Sequence, residues 1–135
     1  MQTLGYYNGK TDELDRMQIP MLDRACYFGD GVYDVTFTRN HRIFELDEHI
    51  DRLFQSAALL RITPPMSHED LAELVRALVA RVEDGEQWVY MQFSRGTDFR
   101  THMFPDRTHK TNLWIMLRPM KIRDLRIPFR CITYP

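Results

Sequence analysis

The sequence predicts an α+β domain with a largely antiparallel sheet and two helices packed on one of its faces. Two observations carry this prediction. β-rich runs occur in both halves of the chain, and two amphipathic helical patterns follow one another between these runs instead of alternating with strands. Because a parallel sheet needs a helix between successive strands, adjacent helices favour antiparallel pairing and a single covered face.

Composition restricts the classes of protein that the chain can belong to. It has 135 residues, 44% of them hydrophobic and 27% charged, which is typical of one globular domain. A net charge of -1 argues against binding to nucleic acid or to an anionic membrane. Cys26 and Cys131 lack metal-ligand spacing and no apolar leader is visible, so we expect no disulfide, no zinc and a cytoplasmic location.

The first elements are predicted from turn residues and alternation. Residues 3–7 alternate and run into Asn8-Gly9, which predicts a strand followed by a hairpin. Residues 23–31 contain two glycines and are expected to form a loop or a tight corner. Residues 32–38 form a strand pattern, in which one face carries Val32, Asp34, Thr36 and Thr38 and the other carries Tyr33, Val35 and Phe37. A turn at 39–41 and a short partner strand at 42–45 complete a second hairpin.

Two helices follow. Asp47 is the expected N-cap of the first, whose apolar stripe consists of Ile50, Leu53, Phe54, Ala57 and Leu60. Residues 67–70 offer a capping-box-like start to the second helix, and Gly85 is expected to end it. Its stripe consists of Leu71, Leu74, Val75, Leu78 and Val82.

The last third of the chain is again β-rich. Residues 88–94 and 112–117 are predicted strands, and 129–133 is the expected beginning of another. The chain then ends on Tyr134-Pro135 without a polar tail, so we expect a fragment of a longer protein.

Arg100 and His102 are the most informative candidate site residues. In an extended segment, positions two apart point to one side, where a guanidinium and an imidazole would suit a carboxylate; the alternative is two solvated loop residues. Arg52, early in the first helix, either binds a phosphate or pairs with an acid such as Glu48. Tyr33 alone would be interpreted as a core aromatic.

The spacing of the other histidines and aspartates predicts neither a metal site nor an acid/base pair. The remaining histidines lack partners at metal-ligand spacing and are expected at the surface, so no metal site is predicted: His49, His68 and His109. Asp23 and Asp30 flank a glycine loop, where aspartate is common for local hydrogen bonding, so they are not interpreted as an acid/base pair.

Three stretches together resemble one enzyme family. They are DRACYFGDGVYDV (residues 23–35), FELDEHIDRLFQSAALLRI (residues 44–62) and QFSRGTDFRTHMFP (residues 92–105). Their order and spacing are similar to the N-terminal domain of class IV (fold-type IV) aminotransferases that use pyridoxal 5'-phosphate (PLP). The Arg-x-His element at Arg100 and His102 resembles the D-amino acid (D-alanine) transaminase branch.

The resemblance implies roles for four residues. Arg52 would bind the phosphate of PLP, and Tyr33, Arg100 and His102 would bind the substrate carboxylate. In such enzymes the Arg and His come from the neighbouring subunit, which implies a homodimer with a shared active site. The implied reaction transfers an amino group between a D-amino acid and a 2-oxo acid.

The resemblance also implies a missing group. The Schiff-base lysine of the family lies just beyond the strand that 129–133 begins, and the three lysines of this chain do not occupy that place: Lys10, Lys110 and Lys121. We therefore expect residues 1–127 to form an N-terminal domain, residues 128–135 to begin an interdomain strand, and the chain alone to be inactive.

Three alternatives remain at this point. Two belong to the same class, namely a branched-chain aminotransferase and an aminodeoxychorismate lyase. The third is a non-catalytic binding or dimerisation domain that has kept the scaffold.

Overall fold

A computed structural model describes residues 1–105, 110–121, 124 and 126–134. The strands are β1 (Leu4–Tyr7), β2 (Lys10–Asp12), β3 (Gly31–Arg39), β4 (Arg42–Ile43), β5 (Gln87–Ser94) and β6 (Asn112–Pro119). The α-helices are α1 (Arg24–Phe28), α2 (Leu46–Leu59) and α3 (His68–Val79), and Leu14–Arg16 form a short 3-10 helix. All strand pairs are antiparallel, in the order β2-β1-β6-β5-β3-β4. The predicted α+β class is confirmed.

The hairpin predicted at the start of the chain joins β1 to β2. Asn8 and Gly9 adopt positive φ angles of 46° and 91°, which suit a two-residue hairpin turn. Asn8 also fixes this hairpin to the sheet, because its side-chain oxygen accepts a hydrogen bond from the Leu113 backbone N–H at 2.9 Å.

The core lies between α2, α3 and one face of the sheet. Its fully buried side chains include Ile50, Leu53, Leu71, Val75, Val89, Met91, Phe93 and Ile115. The predicted alternation in β3 is confirmed, and the face toward the helices is the polar one. Thr36 donates a hydrogen bond to the Phe44 carbonyl at 2.6 Å, and Thr38 donates to that of Gly85 at 2.7 Å. These buried hydroxyl groups are therefore satisfied.

The helix ends differ in part from prediction. Glu45, at φ 41°, is the N-cap of α2, so Asp47 lies in the first turn and the predicted cap is wrong. Leu46 is buried at the first helical position, which explains the earlier start. The Ser67 cap of α3 is confirmed, because its Oγ accepts a hydrogen bond from the Asp70 N–H at 3.1 Å. Helix α3 ends at Val79, well before Gly85.

Two further predictions are corrected. Residues 24–28 form the short helix α1 instead of a loop, because Asp23 accepts a hydrogen bond from the Ala25 N–H at 2.9 Å and Gly29, at φ 62°, ends the helix. The strand expected at 129–133 is wrong for this chain: the described residues 126–134 form no strand, and 129–133 are exposed. A strand requires a neighbour to pair with. His109 and Pro135 lie outside the described residues.

Candidate functional site

Asp34 is the centre of a polar cluster between β3 and α2. Its side chain is only 3% exposed, because alternate residues of β3 face the helices. Arg52 donates from Nε to Asp34 Oδ2 at 2.6 Å and from Nη2 to Oδ1 at 2.8 Å. His49 Nδ1 lies 2.7 Å from the same Oδ1. Asp34 therefore holds the guanidinium of Arg52 in a bidentate fork.

The charges of this cluster leave Arg52 able to bind a second anion. Burial acts to raise the pKa of Asp34, but hydrogen bonds from Arg52 and His49 outweigh it and hold that pKa below its ordinary value. The Arg52 side chain is 64% exposed. Within the described part of the chain, its Nη1 makes no hydrogen bond. The remaining N–H groups and the positive charge suit a phosphate, so the residues present fit the phosphate of PLP.

The cluster corrects two predictions. The acid that pairs with Arg52 is Asp34 on the sheet, not Glu48 on the same helix. His49 is not a surface residue, since its side chain is 16% exposed and bonded to Asp34. The sequence carried a signal for both, because a carboxylate on the helix-facing side of a strand requires a cationic or hydrogen-bonding partner on the covering helix.

Arg100 and His102 lie in an exposed loop, residues 98–105, that packs on α1. The Arg100 Cζ atom is 5.1 Å from the centre of the Phe28 ring, and the His102 ring is 5.9 Å from it. The structure thus brings the two predicted residues onto one aromatic ring.

The path of this loop is set by hydrogen bonds between its backbone and residues in or just before α1. The Asp98 N–H donates to the Leu22 carbonyl at 3.1 Å, and the Tyr27 hydroxyl donates to the Asp98 carbonyl at 2.6 Å. Arg24 Nη1 donates to the carbonyl of Thr101, the residue between Arg100 and His102, at 3.3 Å. The backbone of the loop is therefore held both at its start, at Asp98, and at Thr101.

Helix α1 is in turn fixed to the sheet by Asp23. This carboxylate is fully buried and accepts hydrogen bonds from Ser94 Oγ at 3.0 Å and Asn112 Nδ2 at 2.7 Å. Asp23 therefore combines a helix cap with an anchor to β5 and β6. The hydrogen bond from the Ala25 N–H is the local contact that the sequence analysis expected, whereas the anchor to β5 and β6 was not expected.

Asp30 lies between α1 and β3 and binds two arginines. Arg24 Nε donates to Asp30 Oδ2 at 2.8 Å, and Arg95 Nε lies 2.9 Å from both oxygens. Burial acts to raise the Asp30 pKa, but hydrogen bonds from Arg95 and Arg24 outweigh it and lower that pKa. The glycine that follows has a steric role, because a Cβ atom at Gly31 would lie 2.6 Å from the Phe93 carbonyl oxygen.

Tyr33 lies on the face of the sheet opposite the helices. It is 64% exposed, so the interpretation as a core aromatic is wrong, and its ring stacks on Tyr90 with centroids 5.3 Å apart. Among the described residues, no hydrogen bond or ring contact joins Tyr33 to Arg100 or His102. Contacts among the described residues of one chain therefore do not assemble the three candidate carboxylate ligands.

The described residues were also searched for metal sites, cysteine pairs and membrane-spanning helices. They contain no group of three or more side chains placed to hold a metal ion. Cys26 and Cys131 are exposed free thiols. None of the helices in the described ranges has the length and apolar character that a membrane span requires.

Comparison with known proteins places the chain in a family. Residues 31–134 match the family described as amino-transferase class IV, and the chain belongs to this family. It is 40% identical over 100 residues to a D-alanine aminotransferase of Listeria monocytogenes serotype 1/2a (strain 10403S), covering 73% of this chain and 35% of that protein. A D-alanine aminotransferase of Bacillus licheniformis is 36% identical over 98 residues, with the same coverage. The chain thus spans about a third of the length of these relatives.

Solved structures confirm the fold. A branched-chain amino acid aminotransferase from Escherichia coli superimposes with a TM-score of 0.78 over 89% of this chain and 42% of that one, at 18% identity. A branched-chain amino acid aminotransferase from Thermoproteus uzoniensis, with norvaline, gives 0.72 over 87% and 41%, at 16% identity. Another branched-chain enzyme, solved with pyridoxamine 5'-phosphate, gives 0.77 over 89% and 40%, at 19% identity. At such low identity, these likenesses show the architecture alone.

Proposed function

We propose that this chain is the N-terminal domain of a PLP-dependent D-amino acid aminotransferase, which transfers an amino group between a D-amino acid and a 2-oxo acid. The observation that carries the proposal is the placement of Arg100 and His102 together on Phe28. The 40% identity to a D-alanine aminotransferase supports it. In this proposal residues 1–127 form the domain and residues 128–135 lead into a C-terminal domain.

Arg52 is the proposed ligand of the PLP phosphate. Its bidentate contact with Asp34 fixes the guanidinium plane, while the 64% exposure of its side chain leaves donors for an anion. The bound cofactor would supply the carbonyl group that accepts the amino group and the ring that withdraws electrons from the reacting carbon.

Tyr33, Arg100 and His102 are the proposed ligands of the substrate carboxylate. A guanidinium, an imidazole and a phenol offer several donors to the two carboxylate oxygens. Because no contact within the described chain joins Tyr33 to the other two, we propose that Arg100 and His102 act in the neighbouring subunit of a homodimer. Large exposed apolar side chains around the loop support an interface there, namely Leu59, Met103 and Phe104, which are 84%, 79% and 68% exposed.

The Schiff-base lysine is proposed to lie outside this chain, because none of Lys10, Lys110 and Lys121 occupies the family position. The 135-residue chain alone would then bind ligands without transferring an amino group. A cytoplasmic location also remains part of the proposal.

The full-length protein that contains this chain provides the test. Purified with PLP, it should convert D-alanine and a 2-oxo acid, and Arg100→Ala should raise the KM for D-alanine by about ten- to a hundredfold, because a charge-assisted contact is lost. Turnover of L-leucine or of aminodeoxychorismate instead of D-alanine would replace the proposal with the corresponding alternative.

A second measurement addresses the non-catalytic alternative. The 135-residue chain is titrated with PLP while its mass in solution is followed. Binding that Arg52→Ala abolishes supports the phosphate assignment. If the 135-residue chain binds no PLP and the full-length protein has no transaminase activity, only the non-catalytic scaffold role remains.

A further inference from the structure

Asp30 is separated from the proposed ligand Arg100 by 70 positions in the chain, yet contacts through two arginines link it to the loop that carries Arg100. The side chains of Asp30 and the two arginines are much less exposed to solvent than those of a surface ion pair. Asp30 is 11% exposed, Arg24 4% and Arg95 12%. In the exposed pair of Asp47 and Arg76, the corresponding values are 64% and 54%.

Arg24 links Asp30 to the middle of the loop. Its Nε donates to Asp30, and its Nη1 donates to the Thr101 carbonyl. Its Cζ atom also lies 4.7 Å from the centre of the Phe28 ring, the ring that Arg100 and His102 contact. One guanidinium therefore fixes both the backbone between the two proposed ligands and the aromatic surface beneath them.

Arg95 links Asp30 to the far end of the loop. Its Cζ atom lies 4.4 Å from the centre of the Phe104 ring. Its Nη1 and Nη2 groups donate to the carbonyls of Arg61 at 3.1 Å and Leu60 at 2.8 Å, just beyond the end of α2. The same carboxylate thus connects the end of α2 and the far end of the loop to α1.

We propose that Asp30, acting through Arg24 and Arg95, is a positioning residue that holds the loop of residues 98–105 so that Arg100 and His102 are presented together to a substrate carboxylate. This inference rests on the proposed function. The three charged residues touch no substrate themselves, and their contribution is the fixed geometry of the two ligands. Loss of the Asp30 charge would leave two arginines without their shared anion and release both contacts to the loop.

The test compares three variants of the full-length protein. Asp30→Asn keeps the size of the side chain and removes its charge. Arg100→Ala removes a proposed ligand directly. Asp47→Asn removes the charge of an exposed pair outside the site and serves as the matched control. Each is assayed for kcat and for KM with D-alanine, and hydrogen exchange of residues 98–105 is measured in parallel.

Asp30→Asn should raise KM by about ten- to a hundredfold with a smaller change in kcat, because displaced ligands bind the carboxylate less well. In Asp30→Asn, hydrogen exchange should accelerate within residues 98–105 and remain unchanged in β5 and β6. The Asp47→Asn control should match the parent in KM, kcat and hydrogen exchange. If Arg100→Ala raises KM and Asp30→Asn changes neither KM nor loop exchange, the inference is overturned while the proposed function stands. If Arg100→Ala leaves KM unchanged, the proposed function fails, together with the inference that depends on it.

Phe28→Leu provides a second route if Asp30→Asn does not fold. It preserves an apolar contact but removes the ring that Arg24, Arg100 and His102 share. The same rise in KM and the same local acceleration of exchange are expected. Parent-like values for both would overturn the inference.

Discussion

Asp30 and Asp34 lie four positions apart in the sequence and have much in common. Each carboxylate is largely buried, each has two partners that carry or can acquire positive charge, and each has a lowered pKa for the same physical reason. They differ in what surrounds those partners. The side chains of the two arginines at Asp30 are only 4% and 12% exposed, whereas that of Arg52 at Asp34 is 64% exposed.

This difference separates a structural ion cluster from a candidate ligand-binding one. The arginines at Asp30 use further donors on backbone carbonyls of the chain, those of Thr101, Leu60 and Arg61. Arg52 keeps N–H groups that no described residue accepts. A largely buried cation that donates to backbone carbonyls of the chain fixes the fold, while an exposed one with unused donors can receive an anion.

The largest expected effect on stability is that of Asp30→Asn. Removing one member of a buried ion cluster leaves uncompensated charge, which typically costs about 3–5 kcal/mol. Asp34→Asn should cost clearly less, because water can solvate the exposed Arg52. Urea denaturation of the two variants measures the order, and a larger loss at Asp34 would contradict the distinction between the two clusters.

The next largest effect concerns PLP. Asp34→Asn should weaken PLP binding to the full-length protein by about tenfold, because an unheld guanidinium must be ordered when the phosphate binds. Asp34→Glu, which restores the charge at a different length, should recover part of the affinity. The dissociation constant for PLP is measured by titration. Parent-like affinity in Asp34→Asn would show that the bidentate contact between Asp34 and Arg52 does not contribute to PLP binding.

The smallest effect is on acid stability. Both carboxyl pKa values are lowered in the folded state, so both contributions are complete above the unfolded Asp pKa of about 3.9 and are lost as the pH falls toward the folded values. Each Asn variant should therefore lose less stability than the parent between about pH 6 and about pH 3. Denaturation curves at several pH values test this, and equal losses would contradict the assigned ion pairs.

Much of the fold was predictable because local signals agree with tertiary structure. The Asn8-Gly9 turn, the alternation of β3 and the Ser67 cap each reflect a short-range rule. The helix at 24–28 was missed because two glycines suggested a loop, whereas the first of them ends that helix.

The candidate site was predictable only in part. The Arg100 and His102 pair was singled out by its spacing together with the family resemblance. Its shared contact with Phe28 was not predicted, since that contact joins residues more than 70 positions apart. Asp34 was placed correctly on a strand face but not recognised as the partner of Arg52, because the pair forms only when α2 packs on β3. The local pattern signals that Asp34 needs a partner, but which residue supplies it depends on the topology.

The central claim is that Asp30 supports binding of the substrate and Asp34 supports binding of PLP. It is tested by measuring both binding properties in a variant of each carboxylate. The full-length protein, Asp30→Asn and Asp34→Asn are each measured for PLP dissociation constant and for D-alanine KM under saturating PLP. We expect Asp30→Asn to raise mainly the KM and Asp34→Asn to raise mainly the PLP constant. Equal changes of both constants in both variants would contradict the separation of substrate and cofactor binding between the two clusters.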